Sequence, residues 1–141
     1  MAVRKLVRRL GDRVVAVALF GSRARGESSA YSDYDFLVVV RGMNSRDRRF
    51  RIYDPLYRVL KRDVTVVDIS EEDIFNENLE INSLLLNIAF DGVILYDPSG
   101  RLASLFRRIK QAVKGKLIRY KNRDGKYDWK PVEGVLKPIE V

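Results

Sequence analysis

Apolar positions along this chain fall into two textures. One is the unbroken run: Val14–Phe20, Phe36–Val40, Val64–Ile69 and the shorter Val93–Tyr96. The first two, closed by Gly21 and by Arg41-Gly42, predict strands buried on both faces, and the other two predict a third and a short fourth strand. The second texture is a stripe recurring every three or four residues. It links Val3, Leu6, Val7 and Leu10 up to Gly11, and Ile81, Leu84, Leu85 and Ile88 up to Asp91-Gly92. A longer stripe joins Leu102, Leu105, Phe106, Ile109, Val113 and Leu117, with basic residues opposite. These stripes predict helices with one buried side.

Polar and turn-forming residues complete the pattern. A helix is expected from about Arg46 to Lys61, with Pro55 kinking or splitting it. Ser22 to about Arg25 starts a short helix, Gly26 to Ser32 is loop, and Ser70-Glu71-Glu72-Asp73 reads as an N-cap with acids in the first turn. Asp124-Gly125 is suited to a hairpin turn, and Pro131 and Pro138 punctuate the C-terminal residues. Strands alternating with helices give an α/β fold. The expected layout is one domain over residues 1–118 and a C-terminal extension over 119–141, the extension forming a hairpin packed on that domain.

Two of the runs are interrupted where they should be easiest to bury. In FGSRARGESSAYSDYDFLVVV, Gly21-Ser22 ends one strand and Asp33-Tyr34-Asp35 opens the next. Asp33 and Asp35 lie on one face of a strand, ~6–7 Å apart, and two carboxylates there are costly to desolvate without positive charge against them. Hard oxygen donors at that separation suit Mg²⁺, which keeps waters and shares its shell with substrate phosphates. The glycine allows close backbone approach, and the first amides of the following helix face an anion. A third acid is wanted to complete a two-metal site. Asp63, at the start of RDVTVV, is the preferred candidate; Asp68, at the far end of that run, competes with it.

Composition narrows the chemistry further. The 141 residues contain no cysteine and no histidine, which removes Cys-His nucleophiles, the serine-histidine triad and the usual zinc ligands. No stretch is apolar enough to span a membrane, the basic N-terminus lacks a secretory pattern, and a cytoplasmic location is expected. The net charge of +8 is unevenly spread: residues 33–100 hold eight basic and thirteen acidic side chains, and residues 101–141 hold twelve and four. The basic end fits an anionic partner, an acidic protein or a nucleic acid, or else a charge-rich solvated surface.

Gly-Ser, ten residues, then Asp-x-Asp resembles the minimal nucleotidyltransferases of the DNA polymerase β-like superfamily. RDVTVVDIS and IAFDGVILYDP look like that family's third-acid strand and its short strand after a helix. The resemblance covers roughly residues 3–110. It implies a small mixed sheet of about four strands flanked by helices, and Mg²⁺-dependent transfer of a nucleoside monophosphate from an NTP such as ATP. Carried onto this sequence, Gly21 and Ser22 would hold the triphosphate, Asp33 and Asp35 the metals, and Asp63 would be third ligand and base. Arg23 and Arg25 match basic positions that serve as phosphate contacts or structural ion pairs. Small proteins of this type are often paired with a HEPN toxin, which implies an antitoxin that attaches AMP to the toxin's tyrosine. A masking antitoxin with a vestigial site and an RNA-directed enzyme using the basic extension are the competing functions.

Plainer readings of the same residues stand beside these. Asp33 and Asp35 could cap a loop, Ser22 an N-terminus, and Asp63 could pair with Arg62 at the surface. Tyr120, Tyr127 and Trp129 among basic residues could stack bases, or pack a hairpin on its own domain.

Overall fold

The computed structural model describes residues 2–27 and 32–132; part of the expected Gly26–Ser32 loop, and Pro138, lie outside these. The four apolar runs form one sheet from β1 (Val14–Phe20), β2 (Tyr34–Val40), β3 (Val64–Ser70) and β4 (Val93–Tyr96), in the order β3-β2-β1-β4. β1 is antiparallel to both of its neighbours and β2 is parallel to β3, so the sheet is mixed as expected. Parallel neighbours need a crossover, and α3 (Arg48–Leu60) supplies it between β2 and β3.

Both sheet faces are covered, which explains why the two central strands read as continuous apolar runs. On one face Val14, Val17, Phe36, Val38 and Val40 pack with Leu6 and Leu10 of α1 (Ala2–Leu10) and with Ile52 and Leu56 of α3. On the other, Ala16, Ala18, Phe20, Leu37 and Val39 meet α4 (Glu71–Ile74), α5 (Ser83–Asp91) and α6 (Arg101–Val113). A short helix between β1 and β2, α2 (Gly21–Arg25), completes the set. Each fully enclosed Val or Leu contributes roughly 1.5–3 kcal/mol.

Several boundaries differ from the sequence reading for identifiable reasons. α3 runs unbroken through Pro55, whose ring is buried against the core instead of splitting the helix. β2 begins at Tyr34, so Asp35 belongs to the ladder and not to the preceding loop. The long apolar stripe does not belong to one helix. α6 stops at Val113, Gly115 turns with φ +76°, and Leu117 reaches the same core from a strand.

That strand is β5 (Leu117–Lys121), which pairs with β6 (Tyr127–Pro131) as an antiparallel hairpin. Its turn is organised by Asn122, whose Oδ1 accepts from the amides of Asp124 and Lys126, with Gly125 at φ +75°. The hairpin docks on α5. Trp129 Nε1 donates to Asn87 Oδ1 at 2.9 Å, Asn87 Nδ2 donates to the Tyr127 carbonyl at 3.1 Å, and the indole sits 4.8 Å from the Phe90 ring. The Trp129 side chain and the Tyr127 carbonyl are thus both engaged with α5.

Candidate active site

The site forms where the end of β1 meets the start of β2. Antiparallel pairing sets Phe20 opposite Asp35, which brings the next residue, Gly21, directly over the Asp35 carboxylate. Gly21 has φ +76°, and a Cβ built there would overlap Asp35 Oδ2. Two independent demands, conformation and space, therefore require glycine. α2 starts at Gly21 with Phe20 in the N-cap position, so Ser22 is not the cap but a half-buried residue of the first turn. The amides of that turn have no intrahelical acceptor and are available to an anion.

Asp35 shares its face of β2 with Leu37 and Val39, while Asp33 is exposed just ahead of the strand. Burial pushes the Asp35 carboxyl above its ordinary value, and the charge of Asp33 adds to this; a hydrogen bond from Thr65 and the charge of Arg25 pull the other way. A divalent cation would relieve both the burial and the repulsion. The all-oxygen donor set of Asp33 and Asp35 fits Mg²⁺.

The third acid is placed differently from expectation. Asp63 lies exposed before β3 and lines a shallow hollow with Asp33, Tyr57, Lys61 and Arg62. Its backbone carbonyl accepts from the Tyr34 amide at 3.0 Å. Asp33, Asp35 and Asp63 do not converge, and among the described residues no three acids are grouped so as to hold a metal. In the parallel register the residue beside Asp35 is Thr65. Its position was legible as a polar residue near the start of the apolar run of β3, but its partner was not. Asp68 points to the other face, where Arg48 and Arg49 hold it at 2.7 and 2.9 Å. Burial works to raise its carboxyl, and the two arginines outweigh burial and keep it below the usual carboxylate range.

The two arginines of α2 have separate tasks. Arg23 donates to the Ser32 carbonyl at 3.1 and 2.9 Å and lies 4.0 Å from the Tyr34 ring centroid, tying α2 to the entrance of β2. Arg25 takes the ion-pair role, reaching Asp91 at 3.0 Å and Glu27 at 3.1 Å. Asp91, at the end of α5, also receives Arg119 of β5 in two parallel bonds of 2.7 and 2.6 Å. Burial alone would raise the Asp91 carboxyl, but the bonds from Arg119 and Arg25 hold it below the usual range. Asp91 is a part of this neighbourhood that sequence reasoning assigned only to stopping a helix.

A glycine turn pressed on a half-buried carboxylate, with a second carboxylate two residues before it, sits at the end of β1 in a mixed sheet. Residues 4–99 match the family model described as polymerase beta, nucleotidyltransferase, and the chain belongs to that family. It is 28% identical over 117 residues to a protein of Methanocaldococcus jannaschii named "Putative protein adenylyltransferase", spanning 79% of this chain and 78% of that one. The fold is shared with a chain from a toxin–antitoxin complex crystallised with AMP-PNP, at TM-score 0.58 and 19% identity, covering 80% of this chain and 85% of that one. It is also shared with a chain of the MntA–HepT toxin–antitoxin complex, at TM-score 0.51 and 18% identity over 79% and 81% of the two chains.

Proposed function

We propose that this nucleotidyltransferase moves AMP from ATP to a hydroxyl of a partner protein, a tyrosine of a HEPN-type toxin, and so acts as an antitoxin in the cytoplasm. The observation that carries the reading is the seating of Gly21 on Asp35 beside Asp33, which sets a phosphate-facing turn against a metal-binding pair. The relative named for protein adenylylation and the toxin–antitoxin complexes that share the fold support the choice of nucleotide and partner.

Asp33 and Asp35 would hold Mg²⁺, which when bound supplies charge neutralisation for the phosphates and the leaving pyrophosphate. The chain itself does the positioning. The first-turn amides of α2 face the triphosphate, Gly21 leaves room for it, and Arg23, fixed by the Ser32 carbonyl and the Tyr34 ring, keeps that turn in place. The acceptor oxygen forms a bond to the α-phosphorus as the bond to pyrophosphate breaks. Asp63, on the rim beside Asp33, is then a group within reach of the acceptor's proton and not a ligand of the same cluster. Such alignment with fixed charge supplies most of the rate in phosphoryl-type transfer.

The test is incorporation of label from α-³²P-ATP into a HEPN partner with Mg²⁺ present. Incorporation is expected with the wild type and absent with Asp33→Asn/Asp35→Asn; wild-type incorporation by that double variant would overturn the assignment. That no three acids are grouped to hold a metal among the described residues favours a second reading, masking of the partner without chemistry. Toxin neutralisation undiminished in the double variant would select it.

A further inference from the structure

The sheet face opposite Asp35 carries a feature that nucleotidyl transfer does not use. α1 places Arg4, Lys5, Arg8 and Arg9 within nine residues and has no acid in its first turn. Its apolar side, Ala2, Val3, Leu6 and Leu10, is buried in the core with Ile52 and Leu56 of α3, so the cations are forced outward. Three hollows adjoin along this helix. Arg4 and Arg8 wall both the first, against Leu95 and Tyr96 of β4, and the second, which Val59 of α3 closes. Arg9 walls the second and also the third, which contains Phe50, Arg51 and Asp54. Arg4, Arg8 and Arg9 are the shared walls that set the three side by side in one strip of surface.

Its charge is almost entirely of one sign. Asp54 is the acid in the strip, and it is already taken by Arg9 at 3.1 Å and Arg58 at 2.9 Å. Arg4, Lys5, Arg8 and Arg51 have no carboxylate partner among the described residues. Phe50, at one end, is 65% exposed.

We propose that this strip binds the phosphate backbone of a single nucleic-acid strand. Arg4 with Arg8, and Lys5 with Arg9, repeat about every 6 Å along the helix, presenting cations in series to a chain of phosphates. A basic groove with an exposed aromatic at its end is the arrangement that tracks a single strand and stacks a base. A membrane surface is a poorer fit, because the apolar side that would insert is committed to the core. An acidic protein is the competing occupant, and the polyglutamate arm of the test separates it from a nucleic-acid strand. The proposal is independent of the transfer reaction and places nucleic-acid contact on α1 and α3 instead of the basic C-terminal extension.

The experiment is fluorescence anisotropy of the full chain with a labelled oligouridylate of roughly 15 nucleotides, titrated between about 50 and about 200 mM salt. Binding is expected to weaken with salt at a log–log slope of about −2 to −3, as three to four neutralised phosphates require in a single strand. Arg4→Gln/Arg8→Gln/Arg51→Gln should lose at least about tenfold in affinity and flatten the slope by roughly 2. Phe50→Ala should lose affinity about several-fold with the slope unchanged. Arg107→Gln/Arg108→Gln/Lys114→Gln, on α6 and its C-cap, serves as the charge-matched control and should bind as the wild type does. Circular dichroism melts establish that each variant is folded, and single substitutions at Arg4 and Arg8 replace the triple variant if it is not. Equal loss in the α6 control, an unchanged affinity in the α1–α3 variants, or polyglutamate binding as tightly as the oligonucleotide would each overturn the proposal.

Discussion

Thr65 stands directly beside Asp35 across the parallel pairing of β2 and β3, and its hydroxyl donates a hydrogen bond to that carboxylate. A neutral side chain thus occupies the position from which a third carboxylate would complete a metal site. Thr65→Asp should lower Tm by several degrees in the presence of a chelator, because it adds a like charge to an already repelling pair. Mg²⁺ should then raise Tm more in the variant than in the wild type, since ligand binding stabilises the folded state alone. An identical Mg²⁺ response in the two proteins would show that a carboxylate at 65 does not join the pair.

Gly21 makes the opposite demand, tolerating nothing larger. Gly21→Ala must hold a left-handed φ and push against Asp35, at a cost of about 1–3 kcal/mol. Chemical denaturation should show that loss, and calorimetry with Mg·ATP should show binding abolished. Wild-type nucleotide affinity would mean that the turn does not contact phosphate.

Asp35 costs the fold stability at neutral pH. Its carboxyl titrates above the ordinary 3.8 in the folded chain, so the folded state holds that proton more tightly than the unfolded one. The contribution is favourable below 3.8 and is lost as pH rises through the folded value, leaving a cost at neutral pH. Asp35→Asn should therefore raise the metal-free Tm by about a few degrees at pH 7, a gain that disappears in acid. A lower Tm at pH 7 would contradict the assignment of burial as the dominant influence.

Asp91 behaves with the reverse sign. Its folded carboxyl lies below 3.8, so its contribution is present above that value and lost as pH falls through the folded one. Asp91→Ala would leave Arg25 and Arg119 facing each other with side chains 23% and 20% exposed. The expected loss is about 2–4 kcal/mol, below the full cost of a buried charge because the guanidinium groups keep some water. A urea titration at neutral pH measures it, and the gap between variant and wild type should close in strong acid.

How far the sequence carried the structure depended on whether a signal was local. The runs from Val14 and Phe36, and the Gly21-Ser22 and Asp33-Tyr34-Asp35 motifs they frame, are contiguous and could be read directly. Register is not contiguous: nothing in RDVTVV says which residue will lie beside Asp35, and preference for an acid led to Asp63 where the pairing sets Thr65. The stripe ending in Leu117 failed for a related reason, since a helix and a following strand can feed the same core. Segment-by-segment charge likewise hid the cationic strip. Arg51 of α3 was counted with acids from its own stretch of chain, whereas packing brings it beside α1, commits Asp54 to Arg9 and Arg58, and turns Asp68 to Arg48 and Arg49.

One carboxylate, finally, answers to two distant parts of the chain. Asp91 is shared by Arg25 of α2 and Arg119 of the hairpin, so neither arginine can be drawn away without changing the electrostatic footing of the other. If α2 holds nucleotide as proposed, a partner that engages the hairpin through Arg119 would alter affinity for it, and nucleotide would alter affinity for that partner by the same factor. Partner titrations with and without nucleotide read that factor directly; a ratio of one would mean that Asp91 only braces the fold, and any other value would make it the wire between α2 and the hairpin.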